Sequence, residues 1–230
     1  MSAELGVVGL GRMAYAEALD LQRRLARDRI AGVIDRDLLL LVEHPPVVTL
    51  GRSFRQQHLT TPRDALAARG IEVFDIERGG DVTYHGPGQL VGYPIYDLTQ
   101  HRRDLHWFLR QIEASLIRTL EELGVRAGRN APHTGVWVDD RKIASIGIHV
   151  KQWVTWHGFA LNVTTDLSAF DLMVPCGIPD VRMTSVAREL LERAPRDLWS
   201  RALDATVLGF AEVFQQQPQA VSLETVRSEE

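Results

Sequence analysis

The chain has 230 residues, with 26 Lys and Arg against 30 Asp and Glu and a formal charge of −4. That balance argues against a general binder of nucleic acid or of anionic membrane, either of which needs a basic surface. Hydrophobic residues at 45% and charged residues at 24% are ordinary globular proportions, enough for one buried core and short for two. Cys176 is the only cysteine, so no intramolecular disulfide can form, which suits a reducing compartment. No apolar run reaches the roughly 18 residues of a membrane span, and the N-terminus lacks the basic and apolar regions of a signal peptide. A cytoplasmic location is expected.

In chain order, Leu5 to Leu10 reads as a short strand and Met13 to Ile30 as an amphipathic helix, with Tyr15, Ala18, Leu19, Leu25 and Ala26 inward. Between them, Gly9-Leu10-Gly11-Arg12-Met13-Ala14 fits G-x-G-x-x-A. The acidic residue that a dinucleotide site wants about 20 positions on is missing, because the next strand ends only at Glu43. A strand-to-helix turn is the expectation there. Asp37 to Val42 is a continuous apolar strand covered on both faces, Pro45-Pro46 breaks it, and Val47 to Leu50 resumes. Gln57 to Leu59 leads into a short helix, Pro62 to Arg69, closed by Gly70. Strands follow at 71–75, 82–84 and 90–95, then a clear helix from Asp104 to Leu123 closed by Gly124. Strands at about 134–139, 141–150 and 153–162 come next, with Asp139-Asp140 as a hairpin turn. Ser185 to Leu191 and Leu198 to Phe214 are helical. Residues 1–214 read as a single domain, and the polar tail 215–230 is expected to fray. Strands and helices segregate, which favours an α+β fold.

The stretch Arg78-Gly79-Gly80-Asp81-Val82-Thr83-Tyr84-His85-Gly86-Pro87-Gly88-Gln89 organises the rest. Gly79 and Gly80 open a backbone path closed to other residues, and Gly86-Pro87-Gly88 is a tight turn. Arg78, Thr83, Tyr84, His85 and Gln89 crowd this turn-rich segment between two strands, a place where function commonly sits. Cys176 lies in Pro175-Cys176-Gly177-Ile178-Pro179. A lone cysteine is most often a small buried hydrophobe, but this loop reads as exposed and unsuited to a core position. Lys142 reads as lying on a strand edge beside the hairpin turn, while Ile143, Ile146 and Ile148 mark the strand itself as buried. An ammonium near Cys176 would favour the thiolate. The eight histidines show no metal-ligand spacing with the single thiol, and no metal is expected.

The run from Arg78 to Gln89 resembles the signature of the lipoyl(octanoyl) transferases. So do Glu43-His44-Pro45-Pro46-Val47-Val48-Thr49-Leu50-Gly51, Arg141-Lys142-Ile143-Ala144-Ser145-Ile146-Gly147-Ile148-His149 and Pro175-Cys176-Gly177-Ile178. The resemblance spans roughly Leu38 to Val186. It implies a mixed, largely antiparallel sheet flanked by helices, the fold of the biotin and lipoate ligase catalytic domain, and residues 1–214 as one acyltransferase domain. It also implies transfer of an octanoyl group from acyl carrier protein to a lysine of lipoyl domains, with no cofactor. The acceptors would be the E2 subunits of 2-oxoacid dehydrogenases and the glycine cleavage H protein; no nucleic acid or membrane partner is implied.

In that family the cysteine matching Cys176 forms an acyl thioester, and the lysine matching Lys142 completes a dyad with it. The substrate-binding segments would be Arg78, Gly79, Gly80, Asp81, Val82, Thr83, Tyr84 and His85, then Ser145, Ile146 and Gly147, then Gly158, Phe159 and Ala160. His149 is a candidate for support. Two other readings fit the same fold: an ATP-dependent lipoate or biotin ligase, in which Cys176 would be idle, and a catalytically silent acyl- or carrier-binding protein. Transfer without ATP, and a covalent adduct on the protein, separate them.

Overall fold

The computed structural model describes residues 3–131 and 133–228. Its larger sheet is built around β2 (Asp37–Glu43), which pairs parallel with β1 (Glu4–Arg12) and antiparallel with β6 (Gln89–Ile95). The sheet continues through β10 (Val154–Asn162), β9 (Arg141–Lys151), β8 (His133–Val138) and the short β7 (Gly128–Asn130), all antiparallel. The expected α+β fold, a mixed and largely antiparallel sheet with helices on its faces, is what forms.

The unbroken apolar run of β2 follows from two covered faces. Successive side chains point to opposite sides. Leu39 and Leu41 enter one core with α3 (Leu105–Glu122) and α5 (Leu198–Phe214), while Leu38, Leu40 and Val42 enter the other under α1 (Tyr15–Ala31). On α3, Phe108, Ile112, Leu116 and Leu120 recur every fourth residue and are fully buried. Each such side chain contributes about 1.5–3 kcal/mol relative to exposure. Asp104 caps this helix by accepting the Trp107 N–H at 3.0 Å. The five inward positions expected on α1 are all buried.

Pro45-Pro46 does more than interrupt a strand: it carries the chain into a second sheet. There β3 (Val47–Leu50) lies between β4 (Glu72–Asp75), parallel, and β5 (Val82–His85), antiparallel. The helix expected at Pro62–Arg69 is shorter, α2 (Arg63–Ala67). The one expected from Ser185 is α4 (Val186–Leu190), with Ser185 as its cap.

Two expectations are corrected. The glycines of Gly9-Leu10-Gly11 are not a strand-to-helix turn. β1 runs through them to Arg12, and Gly11, at φ 60°, takes up a register shift against β2. The tail from Gln215 does not fray. Gln217–Ala220 forms a strand parallel to β1, and Leu223–Ser228 a short helix. Polar side chains are no obstacle here, because the pairing uses backbone groups of the free edge of β1. The buried Gln216 also donates to Asp37 Oδ2 at 2.8 Å, a carboxylate that receives Arg29 and His101 as well. The two-residue strand Arg182–Met183, parallel to β9 at Arg141 and Lys142, gave no sequence signal.

Candidate active site

The Arg78–Gln89 stretch lies where the two sheets meet. The Gly79 N–H donates to the Ile148 carbonyl of β9, while Ser53 and Arg52 donate to the carbonyls of Gly80 and Arg78. Gly147 must be glycine for this approach, since a Cβ there would stand 2.6 Å from the Gly79 carbonyl oxygen. Gly158 is pressed in the same way against the Gly92 carbonyl of β6. These glycines serve backbone contact between strands before they serve any ligand. Arg78 is buried; its guanidinium donates from Nη2 to the Thr49 carbonyl at 2.8 Å and to Thr49 Oγ1 at 2.9 Å, and from Nη1 to the Gly79 carbonyl at 3.0 Å.

A cavity of about 210 Å³ opens between the sheets. Of the residues expected to bind substrate, Arg78, Gly80, Asp81, Thr83 and His85 line it, as do Ser145, Ile146, Gly147, Gly158, Phe159 and Ala160. Val82 and Tyr84 do not. On β5 they alternate with Thr83 and His85 and pack on the far side with Phe170 and Met173. Gly79 also lies outside the lining, committed to Ile148. His149 is away from the cavity, its ring tilted 55° against Trp156 with centres 4.2 Å apart and Nδ1 on the Glu77 carbonyl at 3.1 Å.

The cavity brings Cys176 and Lys142 together. Lys142 Nζ donates to Cys176 Sγ at 3.2 Å, and Ser145 Oγ lies 3.7 Å from the same sulfur. Lys142 is not on a strand edge: it pairs with Trp137 of β8 on one side and with Met183 of the two-residue strand on the other, and it is only 2% exposed. Gly135 on β8, at φ 132°, makes room for it; a Cβ there would stand 2.8 Å from Lys142 Cε. The Lys142 ammonium also lies 5.5 Å from the Trp137 ring centre. Cys176 belongs to a 3₁₀ turn, Pro175–Gly177, with φ 57° and ψ 16°. Its side chain is half-buried instead of exposed as the loop suggested.

Burial pushes the Cys176 thiol up. The Lys142 charge, the Ser145 hydroxyl and the Arg78 guanidinium outweigh that and hold it below its ordinary value. Burial drives His85 down to about 3 and His44 to about 4, so both imidazoles are neutral at physiological pH. The Gln89 amide nitrogen is engaged by the Tyr84 carbonyl and by Asn162 Oδ1, so its oxygen accepts and His85 Nδ1 donates, at 2.8 Å.

Several lining residues carried no sequence signal as site residues: Tyr15, Val91, Tyr93, His133, Thr134, His157 and Ile178. Tyr15 was legible only as an inward helix position. His157, beside the expected Gly158, takes φ 57° and sets Nε2 3.7 Å from Glu77 Oε1 at the cavity wall.

Comparison with known proteins identifies the family. Residues 14–206 match the model of the lipoyl protein ligase A/B catalytic domain. An octanoyltransferase of Acidobacterium capsulatum is 46% identical, the match covering 91% of this chain and 90% of the relative. One of Solibacter usitatus is 54% identical over 74% of this chain and 76% of its own. The chain belongs to the lipoyl protein ligase A/B catalytic domain family. Its fold is shared with the crystal structure of lipoate-protein ligase A bound with ATP, with a TM-score of 0.77, 18% identity, and 100% and 92% of the two chains covered. It is also shared with a bi-partite lipoate protein ligase from Thermoplasma acidophilum, with a TM-score of 0.76, 20% identity, and 99% and 90% covered.

Proposed function

We propose that the protein is an octanoyltransferase that moves an octanoyl group from octanoyl-acyl carrier protein to a lysine of lipoyl domains, through a thioester on Cys176. The observation that carries this reading is the 3.2 Å contact of Lys142 Nζ with Cys176 Sγ on the wall of a partly apolar cavity. In the first half-reaction the Cys176 thiolate attacks the donor's thioester carbonyl, the carbon–sulfur bond to the carrier breaks, and the leaving thiolate takes a proton from Lys142. In the second, the neutral amine of Lys142 accepts a proton from the acceptor lysine as that lysine attacks the acyl-enzyme, and Cys176 leaves as thiolate. One thioester replaces another in the first step, so no nucleotide is called for.

The substrate-binding role extends to the motif residues on the cavity wall: Arg78, Gly80, Asp81, Thr83 and His85. Gly79, Val82 and Tyr84 support them from behind, and His149 acts only through Trp156 and Glu77. The acceptors are the E2 subunits of 2-oxoacid dehydrogenases and the glycine cleavage H protein. A working thiol suits a reducing compartment, and the cytoplasm belongs to the same proposal. Among the described residues no helix is long and apolar enough to cross a membrane.

Intact-mass measurement after mixing with octanoyl-acyl carrier protein, without ATP or magnesium, tests the reading. The expected result is one octanoyl adduct on the wild type, discharged by a lipoyl domain, and none on a folded Cys176→Ser variant. Serine's hydroxyl is a poor nucleophile without a strong base. Wild-type turnover by Cys176→Ser refutes the covalent route, and a strict requirement for ATP replaces it with a ligase.

A further inference from the structure

Cys176 meets Lys142 from a left-handed backbone, φ 57°. Such a conformation is strained for a residue with a Cβ and persists only where its surroundings impose it. The surroundings here come from outside the dyad. Ahead of the turn, the Val174 N–H donates to the His58 carbonyl at 2.7 Å, and the Thr61 N–H to the Leu172 carbonyl at 3.2 Å. Behind it, Gly177, at φ 65°, rests against two side chains: a Cβ there would stand 2.8 Å from Asp81 Oδ2 and 3.0 Å from His58 Nδ1. Those two atoms are themselves hydrogen-bonded at 2.7 Å, with the side chains only 14% and 8% exposed. Asp81 Oδ1 accepts its neighbour Val82 N–H at 2.8 Å, which fixes the carboxylate to the start of β5. His58 thus grips the cysteine turn with its backbone on one side and, with Asp81, its side chain on the other.

We propose that the His58–Asp81 pair is a positioning device that clamps the Pro175–Gly177 turn and so holds the Cys176 sulfur in contact with Lys142. The inference rests on the thioester reading of Cys176. It assigns no proton transfer to His58: the pair acts through the turn. It also gives Asp81 a task besides lining the cavity.

The single thiol makes the test direct, since alkylation by iodoacetamide reports on Cys176 alone. His58→Leu keeps most of the bulk and removes the donor; His58→Asn sets an amide N–H close to where Nδ1 stands. The Leu variant is expected to move the alkylation midpoint up by about one pH unit, because a sulfur displaced from Lys142 loses thiolate stabilisation. Its kcat for octanoyl transfer should fall at least about tenfold with little change in donor KM, and the Asn variant should recover most of both. A folded Leu variant with wild-type midpoint and kcat overturns the proposal, as do equal losses in Leu and Asn. Should the Leu variant not fold, Asp81→Ala decides: it removes the partner of His58 Nδ1 altogether, whereas an Asn could still bond to the other imidazole tautomer, and a wild-type midpoint there overturns the proposal too. If wild type takes up no octanoyl group, the thioester reading fails, whereas alkylation needs no acyl donor and still judges the clamp.

Discussion

Lys142 is asked to be two things in turn, an ammonium that stabilises the Cys176 thiolate and a neutral base for the acceptor lysine. It is buried at 2% exposure and stands 3.2 Å from the sulfur. Lys142→Met removes the adjacent positive charge that lowers the thiol, so the alkylation midpoint of Cys176 should rise towards, and through the remaining burial even past, about 8.5. Each unit of rise corresponds to about 1.4 kcal/mol of thiolate stabilisation lost. The sign follows from the charge: with the ammonium present the thiolate persists to lower pH, and without it reactivity appears only as the pH is raised. Lys142→Arg keeps a charge that cannot be shed. It should form some acyl-enzyme yet fail to pass the group on, as single-turnover mass measurements would reveal. An alkylation profile of the Met variant that overlays the wild type would remove Lys142 from the mechanism.

Strand β5 shows how an element divides one motif between two tasks. Thr83 and His85 face the cavity, while Val82 and Tyr84 face an apolar cluster with Leu50, Phe170 and Met173. Tyr84→Ala should cost about 3–5 kcal/mol in denaturant unfolding, with little effect on donor KM where the fold survives. Thr83→Val is the opposite case. Its buried Oγ1 has no hydrogen-bond partner, so removing it should leave stability unchanged or raised. An altered donor KM with unaltered melting would mark Thr83 as a substrate-facing position, and loss of stability in both variants would contradict the alternation.

Across the whole molecule, the chain's last segment closes the sheet and completes a buried charge network. Asp37 receives Arg29, His101 and Gln216, and Gln216 comes from beyond the last long helix. Gln216→Leu should cost about 1–3 kcal/mol, measured by denaturant unfolding, because a carboxylate at 3% exposure loses a donor. Stability should also fall in mild acid. His44 and His85 sit at about 4 and about 3 when folded, below the ordinary 6.5. Between those values the unfolded chain binds the protons, so stability rises with pH up to about 6.5 and is lost below it. Going from about pH 7.5 to about 5.5 should cost roughly 2–3 kcal/mol from the pair; about half that loss would show that one ring is solvated, and a flat stability profile that both are.

Local pattern was enough to find the long elements, because the periods of Phe108-Ile112-Leu116-Leu120 and of the β2 run each report which faces are covered. Motif residues also drew together Arg78, His85, Lys142 and Cys176 before any coordinates. What the sequence could not tell is everything set by one strand lying on another. Gly147 and Gly158 read as room for a ligand, yet they are pressed against carbonyls of Gly79 and Gly92. Lys142 read as a strand-edge residue and is buried, because β8 closes the sheet beside it. The polar 217–220 segment read as frayed, since backbone pairing to a free edge leaves no mark on side chains. His58, Tyr15 and His157 carry no motif of their own. Their place around the cysteine turn and the cavity is decided by the packing of two sheets and α1, contacts between residues far apart in the chain that no local period records.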